Sequence, residues 1–156
     1  MGTRSYICME IEDNRYKTIY CHFDGYLEYN GAMLVKYYND RATVEKLLEL
    51  GDLSVLNKRL EPDPSKPHGF DCDKQQKDVC VFYGRDRGDK DVQAKIFTLG
   101  QLDDPDNWME YVYIYTKDNQ WKYFETGNAM LGLRDVKEDL LTLQATKQQS
   151  MTQELS

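Results

Sequence analysis

Hydrophobic and polar positions change period several times along the chain, and each change marks an element. Alternation in "YICMEI" (6–11) and the strand composition of "KTIYCHF" (17–23) predict two strands, joined by "EDNRY", whose Asp13 and Asn14 suit a tight turn. The period then lengthens. Leu34, Tyr37 and Tyr38 in "GAMLVKYYN", and Val44, Leu47 and Leu48 in "DRATVEKLLELG", recur at helical spacing, with Asp40 as N-cap and Gly51 as C-cap of the second segment. Two short helices are therefore expected after the first hairpin. From Glu61 to Lys77 the chain carries three of its four prolines and almost no apolar residue, which predicts a long, mobile loop.

Beyond that loop the alternation returns. "DVCVFYG" (78–84) and "VQAKIFTLG" (92–100) predict strands around the charged turn "RDRGDK", and "MEYVYIYT" (109–116) and "QWKYFET" (120–126) predict two more around "KDN". A two-residue loop at 118–119 would set Ile114 opposite Tyr123 and Tyr113 opposite Phe124. Val136, Leu140, Leu141 and Leu143 predict a C-terminal helix over 133–144, and residues 146–156 have the composition of a frayed polar tail. The order ββαα, ββββ, α defines a single α+β domain over 1–145 with a largely antiparallel sheet of about six strands. No internal repeat is present.

Composition narrows the setting. At 156 residues, 40% hydrophobic and 30% charged, the chain suits one core and a soluble protein, and no apolar run approaches the roughly 20 residues that span a bilayer. "MGTRSYICMEIE" lacks the pattern of a secretory leader, and Tyr6 stands where a myristoylation signal wants Ser or Thr, so a cytoplasmic protein without membrane attachment is expected. Cys8, Cys21 and Cys80 lie in apolar stretches and read, like Cys72, as free thiols rather than disulfide partners. Twenty-seven acidic against 20 basic residues give a net charge of −7, which argues against direct nucleic-acid binding. The same excess suits protein partners with basic surfaces, or simply solubility.

Candidate chemistry concentrates in "YCHFDGYLEYNG" (20–31). His22, Asp24 and Tyr26 alternate onto one side if the strand continues, forming a candidate binding patch. A metal would need further ligands, which only the distant "HGFDCD" (68–73) offers, and neither a metal nor a cofactor is expected. The competing reading is a strand end, with Asp24 in the turn and Gly25 free to take positive φ. Cys21 and His22, as strand neighbours, point to opposite faces and form no nucleophile and base pair, and no catalytic residue is assigned. Arg85 and Arg87 are the densest basic spot, with the fork geometry for a phosphate or carboxylate, while the "RGD" at 87–89 reads as a solvated hairpin tip. Tyr111, Tyr113 and Tyr115 share one strand face, either an exposed recognition platform or a layer covered by the last helix.

Four segments in order, "MGTRS", "YCHFDGY" with a following Gly31, "LGDLSVL" (50–56) and "VFYGRDRGD" (81–89), resemble a family of small proteins of uncharacterised function encoded by bacteriophages and prophages. The resemblance covers about the first 125 residues. It departs where that family carries Trp, here Phe23, and often Pro, here Leu27. It brings no catalytic role to any residue. What it implies, together with the charge, is a non-enzymatic accessory protein that binds a host protein in the bacterial cytoplasm. An inhibitor of bacterial defence, such as an anti-CRISPR, would set its carboxylates in a basic nucleic-acid groove. Two other readings stay open: a nucleotide-signal binder or hydrolase using Arg85, Arg87, His22 and Asp24, and a homo-oligomeric contact through the tyrosine strand.

Overall fold

A computed structural model describes the backbone of residues 3–155 and the side chains of residues 3–147. Its centre is a strand covered on both faces. β1 (Ser5–Glu12) pairs antiparallel with β2 (Arg15–Cys21) through a turn in which Asn14 takes φ 57°, as the first hairpin requires. On its other side β1 pairs in parallel with β6 (Tyr111–Tyr115), setting Ser5, Ile7 and Met9 beside Tyr111, Tyr113 and Tyr115. β7 (Trp121–Glu125) and β8 (Arg134–Asp135) extend that side. β3 (Leu53–Val55) and β4 (Val81–Phe82) extend the other, and β5 (Lys95–Phe97) pairs with the first half of β2. The sheet order is β4-β3-β2-β1-β6-β7-β8, an α+β domain in which antiparallel pairs outnumber the two parallel ones.

One face of the sheet carries most of the core. Ile7, Met9, Ile19, Cys21, Tyr113, Tyr115, Trp121 and Tyr123 meet Leu34, Val44, Leu47, Leu48 and Val136 from α1 (Ala32–Tyr37), α2 (Arg41–Glu49) and α5 (Val136–Leu155). α2 begins where expected: the Asp40 side chain accepts from the Thr43 amide at 2.9 Å, and Gly51, at φ 84°, follows its end. Val92 O would lie 2.5 Å from a Cβ at Gly51, so only glycine fits there. The opposite face is thinner, with Cys8, Tyr16, Leu102, Val112, Ile114 and Phe124 beneath β5 and α4 (Leu99–Leu102).

Several expectations need correction. Only Val81–Phe82 of 78–84 is strand, because Tyr83–Arg87 coils into the short helix α3, closed by Gly88 at φ 80°. "RGD" is thus a helix end and its left-handed exit rather than a hairpin tip. β5 is shorter than 92–100 because Thr98 and Gln101 form a capping box that starts α4. The β6 to β7 loop has three residues, closed by Thr116 N–H to Gln120 O and by Asn119 at φ 60°. That extra residue sets Tyr113 opposite Tyr123 and Ile114 opposite Lys122, one position from the expected register. The sheet has eight strands rather than six, since β3 and β8 are too short to show a period. α5 continues to Leu155 through the segment whose composition suggested a tail, and the side chains from 148 on lie outside the described residues. Segment 61–77 is held by the Gln76 side chain, which accepts from the Asp63 amide at 2.7 Å and donates to the Asp63 and Lys66 carbonyls.

Register decides what the tyrosines do. Tyr111, Tyr113, Tyr115, Trp121 and Tyr123 form one aromatic layer, with Tyr113 and Tyr123 rings 6.0 Å apart and Tyr115 and Trp121 rings 5.1 Å apart. Their polar atoms reach into the helical layer: Tyr113 donates to Gly25 O at 2.6 Å and Trp121 to Tyr38 O at 2.7 Å. Removing the first bond tests its part in joining β6 to the end of β2. Tyr113→Phe is expected to lower stability by about 1–2 kcal/mol, because it leaves a carbonyl unpaired at a buried contact. Urea unfolding at an unchanged m-value reads this directly, and an unaltered midpoint would mean that the bond contributes nothing.

Candidate functional site

His22 lies just past β2, where its amide still donates to Leu53 O at 3.1 Å and the Phe23 amide to Ser54 O at 3.0 Å. The strand does not continue further, because Asp24 takes φ 58° and breaks the alternation. His22 is paired instead with the residue two places before it: Tyr20 OH and His22 Nδ1 are 2.5 Å apart. Partial burial, with Arg4 nearby, pushes the His22 pKa down and favours the neutral ring. Asp24, not Gly25, holds the left-handed conformation. Gly25 is needed for a different reason, since a Cβ there would meet Ser5 Cβ and Thr3 O at 2.8 Å. Half-buried His22 and exposed Phe23 and Tyr26 thus edge one end of the sheet without converging on a ligand position.

Arg85 is fully engaged in holding the chain. Its guanidinium donates to Leu60 O at 2.5 Å, to Cys80 O at 2.9 Å and to both carboxylate oxygens of Asp86. Asp86 also accepts from the Phe82 amide at 2.8 Å, and buried His68 Nε2 lies 3.4 Å from it. The Gln76 amide donates to His68 Nδ1 at 3.0 Å, which leaves the ring proton on Nε2, facing Asp86. Arg85 and Asp86 therefore fasten the chain at Leu60 and Cys80 to β4, and the His68 ring packs beside Asp86 with its Nε2 making no hydrogen bond. Arg87 pairs with Asp89 at 2.7 Å and lies over the Phe70 and Tyr83 rings, 4.4 and 4.9 Å from their centroids. The expected basic spot is neutralised by its own neighbours, and none of His22, Asp24, Arg85 or Arg87 lines any of the four described hollows.

The other candidates are equally occupied. Burial pushes the Cys8 and Cys21 thiols up to about 12, and Cys80 is raised as well. Among the described residues no three His, Cys, Asp or Glu side chains gather as a metal site, and no helix is long and apolar enough to cross a membrane. Tyr113 and Tyr115 are buried, so the platform is a covered layer; Tyr111, half-buried, borders a hollow beside Arg134 and Asp139.

Sequence reasoning missed a different surface. Trp108 is 77% exposed, and Met130 and Leu131 are 88% and 79% exposed. Trp108 also holds φ 69°, a conformation that costs a bulky residue on the order of 1–3 kcal/mol. The segments carrying these side chains are tied together. Asp103 Oδ1 accepts from the Gly127 amide at 2.8 Å and the Ala129 amide at 3.1 Å, and Glu110 O accepts from the Thr126 amide. Along the chain on either side of Trp108 the charge has one sign: residues 96–116 contain Asp103, Asp104, Asp106 and Glu110 and no Lys or Arg, while the fold brings the Arg4 backbone against Glu110, whose amide donates to Arg4 O at 2.9 Å. That one-sided charge run was the signal available in the sequence. The chain matches no protein-family model, no curated protein and no solved structure.

Two measurements check this assignment of roles. Burial alone would raise the Asp86 pKa, but hydrogen bonds from Arg85 and the Phe82 amide, with the Arg85 charge, bring it below the usual carboxylate value. A depressed folded-state pKa stabilises fully above the unfolded value, near 4, and is lost as pH falls through the folded one. Asp86→Asn should therefore cost about 2–4 kcal/mol at neutral pH by leaving Arg85 poorly paired, with the gap from the parent narrowing below about pH 4. A gap independent of pH would reject the pairing of Arg85 with Asp86. Of the four thiols, Cys72 alone is exposed, so a thiol reagent should titrate one group in the native protein and the rest only on unfolding.

Proposed function

We propose that the chain is a non-enzymatic accessory protein of a bacteriophage or prophage, acting inside the bacterial host by occupying a basic surface on a host defence protein. The observation that carries this reading is the division of labour among charged and reactive groups. Arg85, Asp86, His68 and the buried thiols are engaged within the fold, whereas Asp104, Asp106 and Glu110 face solvent on a stretch without cations. Carboxylates presented in this way attract a surface built for phosphates, and the attraction speeds encounter as well as favouring the complex. The defence target rests on the phage resemblance of "YCHFDGY", "LGDLSVL" and "VFYGRDRGD".

Such binding is strongly screened. Capture of the host protein by the tagged chain should fall about tenfold or more between about 50 mM and about 300 mM salt. Equal capture at both concentrations would reject an electrostatic mode of action.

A further inference from the structure

We infer that the contact surface is formed by the exposed side chains of Trp108, Met130 and Leu131, on two segments tied by Asp103, together with the carboxylates of Asp104, Asp106 and Glu110, and that it receives a lysine- or arginine-rich segment of a partner protein. This inference rests on the binding reading above and names its site. Three observations support it. Large apolar side chains seldom stand this far out of a fold, and three of them lie on two segments that Asp103 fastens to one another. The indole is also held at a backbone angle that a glycine or an asparagine would occupy with less strain, so folding alone does not favour tryptophan there. Finally, Asp104, Asp106 and Glu110 are all exposed within four residues of it, no Lys or Arg lies between 96 and 116, and none of the three carboxylates is in an ion pair among the described residues.

Together these features set an exposed aromatic anchor, 77% accessible, beside three exposed carboxylates. Arg134, the cation that shares a hollow with Leu131, is paired to Asp139. Burying such an anchor in a complex is where an aromatic side chain contributes most to binding. Trp108 offers its ring face to a guanidinium or ammonium group, and the three carboxylates supply the counter-charge. An anionic membrane would be repelled by the same carboxylates. A second copy of the chain would bring like charges together, since it presents the same three carboxylates.

Trp108→Asn separates function from folding because asparagine accepts the left-handed backbone. The variant should keep or raise Tm while its capture of the host protein falls about tenfold or more, and Leu141→Ser, on exposed α5, should capture as the parent does. Carbodiimide coupling should join Asp104, Asp106 or Glu110 to lysines of the captured protein. Equal capture by the parent and Trp108→Asn would overturn the surface and leave the proposed function standing. No stoichiometric capture by the parent would overturn both. A dimeric mass abolished by Trp108→Asn, or Trp108-dependent sedimentation with phosphatidylcholine vesicles, would assign the surface to self-association or to lipid and overturn the proposal.

Discussion

The parallel ladder between β1 and β6 holds the two halves of the molecule together. Each strand also belongs to a hairpin, so this ladder fuses two local units into one sheet. Because β1 is paired along both edges and covered on both faces, alternate residues serve different cores: Ile7 and Met9 face the helices, and Cys8 faces the thinner layer with Val112 and Ile114. The aromatic layer of β6 and β7 depends on the same ladder. Tyr113 reaches Gly25 because β1 aligns the end of β2 with the middle of β6, and Gly25 lies against Ser5 because it has no side chain.

Much of this was legible in the residues, and the exceptions have physical causes. The first hairpin, the two helices after it, the Asp40 cap and the Gly51 exit all follow from local chemistry acting within a few positions. β3, β4 and β8 are two or three residues long and defined by their partners, so no period marks them. Tyr83–Arg87 carries strand-like neighbours, yet it coils because Asp86 turns back to accept from the Phe82 amide. The capping box of Thr98 and Gln101 stops β5 at Phe97, inside the apolar run that predicts a strand to Gly100. The hairpin register failed over one residue, since "KDN" supports a two- or a three-residue loop and only the closed geometry selects between them.

Site residues followed a similar rule. Arg85, Arg87 and the three buried thiols are paired or neutral within the fold, since a charged or nucleophilic group near a core is stable only in that state. His68 and Asp86 lie eighteen positions apart and meet only through the fold. By contrast Trp108, Met130 and Leu131 offered no reactive group, and their exposure depends on which segments pack beneath them. The one-sided charge of 96–116 is a property of the sequence, whereas the exposure of Trp108 within it is set by the fold.

The uneven thickness of the two cores bears on motion. Among the described residues, nineteen buried side chains make up the helical core and six the opposite one. Opening the thinner layer exposes less apolar area, so α4 and the segment after β7 can detach at a lower free energy than global unfolding requires. Amide exchange would then be faster in α4 and the segment after β7 than in β1 and α2. A surface seated on so shallow a layer can adjust its side chains to another protein while the helical core stays closed.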